Sequence, residues 1–275
     1  MKLAVTTCTP EVPVPVPVAL LAGAFQEKLQ KAALLGFDGV ELMTLAPDSI
    51  DAAPLHIQLV ALGLGVAAIA TGAMSFAGKL TLLATDPAVS ALAQARLVQA
   101  INLAAALGAP VVTVGSFRGR LATGGHNAYA RVVSILHAAA IVAERRGVRL
   151  AIEPLNRYET DLVRDVEEGL ALCHAVGSHA VGLLIDTFHA NIEEPSLQES
   201  FRRAIERDRL FHVHIGDSNR LAPGLGHINF ATITQVLCDT GYTGYLSAEL
   251  LPQPDPDTAA ALTIRHMREC RSRSC

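Results

Sequence analysis

No C-x-x-C pair occurs in this chain, and its five cysteines, Cys8, Cys173, Cys238, Cys270 and Cys275, are odd in number and scattered. That spacing indicates neither a disulfide framework nor a thiolate zinc site, and a reducing cytoplasm fits it best. An excess of one charge is lacking too: 22 Lys and Arg stand against 26 Asp and Glu, a formal net charge of -4. Such a balance offers no general attraction for phosphate backbones or anionic membranes, so neither nucleic acid nor a membrane is expected as partner. No uninterrupted apolar run approaches the ~18 residues of a membrane span. The stretch "VPVPVPVALLAGA" after Lys2 faintly has the look of a signal peptide. However, Pro13, Pro15 and Pro17 interrupt it, and cleavage there would discard "KLAVTT", which the rest of the pattern needs as a strand. What is abundant is apolar residues, 51% of 275, enough for a large core in one α/β domain over residues 1–275.

Short β-type runs alternate with longer helical patterns from end to end. The predicted strands are Lys2–Thr6, Gly39–Met43, Val66–Thr71, Pro110–Gly115, Arg149–Glu153, Val181–Asp186, Leu210–Ile215 and Gly244–Leu250. Between them lie segments such as "FQEKLQKAALLG" and "NAYARVVSILHAAAIVAERRG", several closing on a glycine that suits a helix C-terminus. Eight such units make a parallel (β/α)8 barrel. A doubly wound dinucleotide fold would need a glycine fingerprint after a strand. The nearest match, "GLGVAA" from Gly63, ends a helix and leads into a strand, so it reads as a helix stop. The basic tail "RHMRECRSRSC" reads as a solvated helix end.

In such a barrel the C-terminal ends of the strands face the active site, and alternate residues point inward. Outward Leu150 and Ile152 leave Glu153 inward at the end of the fifth strand, and the same parity places Asp186, His214 and Glu249 at the ends of the next three. Any one of them alone would pass for an ordinary strand-end or capping residue. Four together form a hard, oxygen-rich set that suits one divalent ion, manganese(II) before magnesium or cobalt(II), with zinc admissible. Without a cation, three converging carboxylates would raise one another's pKa.

The segments "AIEPLNRYET", "LLIDTFHANIEE", "HVHIGDSNRLAPGLGH" and "GYLSAELLPQPDPDTAA" closely resemble those of the xylose isomerase-like TIM-barrel proteins, in particular the D-tagatose/D-psicose 3-epimerase branch of sugar epimerases. The likeness is dense across Leu150–Ala260 and thin before it, apart from "GFDGVEL". The resemblance implies that Glu153, Asp186, His214 and Glu249 bind the metal and that Glu153 and Glu249 double as the acid/base pair. It further implies that Glu159, His189 and Arg220 hold the C1–C2 end of a ketose, whose C3 is inverted through a cis-enediolate. A homodimer or homotetramer is expected by family.

The chain has no Trp, whereas free-ketose epimerases of this branch pack aromatic rings against the sugar. In the corresponding half "GSFRGR" offers Arg118, whose fork suits carboxylate or phosphate, so the expected substrate is a sugar, sugar acid or sugar phosphate. The loop "ATGAMSFAGKLTL" is a candidate for closure over substrate, with Lys79 in reach. His212 reads as a hydrogen-bonded support and not a ligand. Glu193 and Glu194 read as solvated or as starting a helix, Asp217 as orienting a neighbour or satisfying a turn, and Asn156 and His227 as ordinary loop residues. Aldose–ketose (hydroxypyruvate-type) isomerases and dehydratases share the first step and stay open. An apurinic endonuclease would show more histidines and a basic groove. A binding protein that had lost catalysis is expected to lack one of the two glutamates, and both are present.

Overall fold

The computed structural model describes residues 1–13 and 16–274, so Pro15 and Cys275 lie outside the described residues. Eight strands, β1 (Lys2–Cys8), β2 (Gly39–Met43), β3 (Gly65–Ala70), β4 (Val111–Val114), β5 (Arg149–Ile152), β6 (Val181–Asp186), β7 (Leu210–Ile215) and β8 (Tyr245–Ala248), pair in parallel in sequence order and close into a barrel. Ten helices connect or follow them: α1 (Phe25–Leu35), α2 (Ala52–Ala61), α3 (Gly72–Phe76), α4 (Pro87–Leu107), α5 (Ala128–Arg146), α6 (Val166–Val176), α7 (Thr187–Glu193), α8 (Leu197–Glu206), α9 (Phe230–Asp239) and α10 (Pro256–Ser274). "KLAVTT" is the strand the alternation required, paired with β2 and β8.

The helix boundaries follow local chemistry. Asp86, Asp165, Ser196 and Asn229 cap α4, α6, α8 and α9 by accepting a backbone N–H of the first turn. Gly108 and Gly147 end α4 and α5 in the left-handed conformation that a β-carbon disfavours. Gly63 stops the turn after α2 in the same way. The main core lies between the outward faces of the strands and the helices, where Leu150 and Ile152 sit. A smaller cluster, Ala68, Val111, Ala151, Leu184 and Phe211, fills the inside of the barrel.

Phe211 departs from strict alternation. The β6–β7 register slips between Leu183 and Leu184, so that Leu183 pairs with Leu210 but Leu184 pairs with His212. Leu210 then packs in the outer core while Phe211 turns inward beneath His212. The tail is less solvated than expected: Arg268 donates to the Gly36 carbonyl and Arg271 to that of Met1. Among the described residues Cys8 and Cys173 are free thiols, and Cys238 is disulfide-bonded. No helix among the described residues is long and apolar enough to cross a membrane.

Candidate metal centre and active site

Glu153 and Glu249 follow β5 and β8 directly, Asp186 ends β6, and His214 lies in β7. One ligand atom from each lies within 4.8 Å of the others, and all four residues are buried. The set is short of partners in a particular way. Glu153 Oε1, Asp186 Oδ2 and His214 Nδ1 are buried without a hydrogen bond among the described residues. His214 Nδ1 stands 3.5 Å from Glu153 Oε1 and 3.3 Å from Glu249 Oε2. Buried polar atoms left unpaired are costly, and three that converge are what a cation would satisfy, so the residues present fit the group.

The electrostatics agree. Burial pushes Asp186 up to about 7, with Glu153 adding to the effect against Arg220. Burial likewise raises Glu153, helped by Glu249 and opposed by His214. For His214 burial disfavours the charged ring, but the carboxylates of Glu41 and Glu249 outweigh it and raise its pKa well above the usual range. In the metal-free protein the site thus disfavours the ionised forms of Glu153 and Asp186 and favours the charged form of His214.

Around this cluster is a cavity of about 250 Å³. Glu159, His189 and Arg220, predicted to hold substrate, reach it together with Glu153, His214 and Glu249. Arg220 sits 3.4 Å from Glu159 and 3.7 Å from Glu249, lies over the Phe188 ring, and keeps its Nε unpaired. It adopts a left-handed φ of 61°, uncommon outside glycine. That conformation is held by Arg220 N–H donating to the Asp217 carbonyl and by Leu251 N–H donating to Arg220. The Asp217 carboxylate in turn accepts from the backbone of Ser218, Gly224 and Ile228. Its role is the turn that presents Arg220.

Asn156 does more than the ordinary loop role expected of it. Its side-chain amide and its backbone N–H both donate to His189 Nδ1, at 2.8 and 3.3 Å, and the amide also donates to Glu159. Burial, with Arg220 nearby, depresses the His189 pKa well below its usual value. The ring is therefore neutral with its proton on Nε2, which has no partner and stands 3.7 Å from Asp186 Oδ2. Gly115 lies opposite: a β-carbon there would displace the Glu153 carboxylate.

Other expectations are corrected. Arg118 does not face the cavity. Its side chain is 0% exposed, and its five N–H groups go to the carbonyls of Gly115, Glu153, Leu162 and Val163. With its fork consumed by backbone, it has nothing left for a substrate anion. Glu193 does not start a helix but ends α7, where it pairs with Arg157, while Glu194 accepts the Val166 N–H at the start of α6. Exposed Lys79 lies over the Phe76 ring, and Phe76 itself reaches the cavity. His227 is exposed in its loop. His212 donates to Glu41, the residue that sequence reasoning passed over. Its signal was an acid at inward parity in the otherwise apolar "GVELM".

A closed parallel barrel whose last four strands each bring one carboxylate or imidazole to a common rim has the TIM-barrel form, with a group of side chains that could hold a divalent metal ion. The family model of the xylose isomerase-like TIM barrel matches residues 29–270, and the chain belongs to that family. It is 33% identical over 218 residues to the L-ribulose 3-epimerase of Mesorhizobium japonicum, covering 78% of this chain and 71% of that one. With the L-ribulose 3-epimerase of Methylomonas sp. it shares 32% identity over 234 residues, 83% and 78% of the two chains. The solved structure of an L-ribulose 3-epimerase superposes with a TM-score of 0.81 at 27% identity, covering 99% and 95%.

Proposed function

We propose that the chain is a metal-dependent ketose 3-epimerase in which Glu153 and Glu249 act as acid and base at C3. The observation that carries this reading is the convergence of these two buried carboxylates on one set of unpaired ligand atoms, in a cavity that Arg220 and His189 also reach. Glu153, Asp186, His214 and Glu249 would hold the ion, which when bound supplies Lewis acidity toward the substrate's carbonyl and hydroxyl oxygens. Manganese(II) suits the donor set best.

The chain's own residues do the rest. One glutamate takes the C3 proton and the other returns one to the opposite face, which a single base could not do with inversion. Burial raises Glu153, so it holds a proton at a higher pH than a solvated carboxyl would. His189, its tautomer set by Asn156, offers Nε2–H to the oxyanion that develops, and the Arg220 guanidinium adds a second donor. Glu159 receives Arg220 and Asn156 and keeps both in place.

A neutral ketose is favoured over the acid or phosphate. Among the described residues lining the cavity Arg220 is the sole Lys or Arg, already paired with Glu159 and Glu249, and the wall opposite the proposed ligands is apolar: Val16, Pro17, Val18, Met43 and Ala70. The test is exchange in deuterated water with manganese-loaded protein and a panel of ketoses, ketose phosphates and keto acids. Deuterium at C3 of a neutral ketose is the expected outcome. Label at C1 or C2 instead would assign aldose–ketose isomerisation. Absence of exchange across the panel, in protein with bound metal, would overturn the enediolate reading. Glu249→Gln is expected to abolish exchange with the fold intact.

A further inference from the structure

The carboxylate of Glu41, on β2, sits inside the barrel with 0% exposure, while the four proposed ligands come from β5 to β8. It accepts from His212 Nε2 at 2.8 Å and from His214 Nε2 at 3.0 and 3.1 Å to its two oxygens. The two rings are nearly perpendicular, 83° apart with centroids 5.3 Å from each other, so their edges converge on one acceptor. A hydrophobic side chain of similar volume would fill the same space without the desolvation cost of an ion. What it could not do is select an orientation for His214. An ionised carboxylate only accepts, so both rings must present Nε2–H to it. His214 is thereby turned with Nδ1 toward Glu153 and Glu249, and that nitrogen is left without a hydrogen bond.

The strands are shaped for this meeting. The β2–β3 register shifts between Val40 and Glu41, and the slip on β7 stands just before His212. Such irregularities re-aim side chains beside functional sites. We propose that Glu41 is the positioning residue of the metal centre, holding His214 by Nε2 so that Nδ1 alone faces the ion, with His212 fixing the plane of the Glu41 carboxylate. The proposal rests on the metal reading above but concerns a residue that touches neither metal nor substrate. Glu41 ties the first half of the barrel to the ligands of the second.

The test is manganese(II) titrated into metal-free wild-type protein and Glu41→Gln, with the free ion followed by electron paramagnetic resonance and folding checked by circular dichroism. Glutamine keeps the volume, but its NH2 faces a ring N–H, so His214 loses its fixed orientation. The expected result is a dissociation constant raised roughly 10–100-fold. A residue that merely fills the barrel would lower thermal stability and leave that constant within twofold, and this result overturns the proposal. Should Glu41→Gln not fold, magnesium-loaded wild-type protein decides by long-range 1H–15N spectra. The proposal requires His214 to keep its proton on Nε2 and to show the metal shift on Nδ1; the reverse assignment overturns it. Wild-type protein that binds no metal removes both readings, whereas tight binding unchanged by Glu41→Gln removes only this one.

Discussion

A single buried carboxylate shows how this site balances repulsion against function. Asp186 in an unfolded chain releases its proton near the ordinary carboxylate value of about 4. In the folded, metal-free protein burial delays that release to about 7. Between those values the folded state binds more protons than the unfolded one, so Asp186 makes the metal-free protein less stable as pH rises through that window. Asp186→Asn removes the charge while keeping the shape. The melting temperature of the metal-free variant, relative to metal-free wild type, is therefore expected to climb from about pH 4.5 to about pH 7.5. Differential scanning calorimetry at several pH values checks it, and a gap independent of pH would refute the assignment of the shift to this group. At the same scale Asn156 shows why a residue's role can hide in its neighbours: nothing in "EPLNRYET" announces that its amide faces a histidine 33 positions away.

At the scale of elements, strands were the most legible feature. Gly39–Met43, Val181–Asp186 and Leu210–Ile215 were bounded as observed, because apolar runs flanked by turn residues carry that signal locally. Parity from those strands brought Glu153, Asp186, His214 and Glu249 to one rim. It could not foresee the slip that turns Phe211 inward, since register depends on the partner strand. Nor could it foresee Arg118, whose four acceptor carbonyls lie on two loops up to 45 residues away. These contacts pin the end of β5 through the Glu153 carbonyl and hold Val163 at a φ of 63°, a costly conformation for a β-branched residue. Arg118→Lys keeps the charge but offers at most three donors to four carbonyls. The expected cost is roughly 2–5 kcal/mol of stability by denaturant titration, with the ketose KM nearly unchanged in the protein that folds. A raised KM without loss of stability would instead restore Arg118 as a substrate anchor.

For the whole molecule, charge and apolarity are divided between the two halves of the barrel. The four proposed ligands come from β5 to β8, while β1 to β3 and their loops supply the apolar wall of the cavity. A bound ion would stitch together the C-terminal ends of four adjacent strands that otherwise carry three mutually repelling acids and a histidine. At a hundredfold excess over its dissociation constant it stabilises the fold by about 2.7 kcal/mol, enough to raise the melting temperature of a chain this size by roughly 5–10 °C. Where that protection falls is the sharper prediction. Hydrogen exchange with and without manganese(II) should show slowed amides at residues 149–153, 181–186, 210–215 and 245–249, with β3 and β4 unchanged. If Glu41 couples the halves, β2 joins the protected set although it carries no ligand, because fixing His214 also fixes the carboxylate it donates to. Protection confined to β5–β8 would leave the metal centre in place and cut its link to β2. Uniform protection around the barrel would mean that the ion acts only through global stability, with no path through named residues.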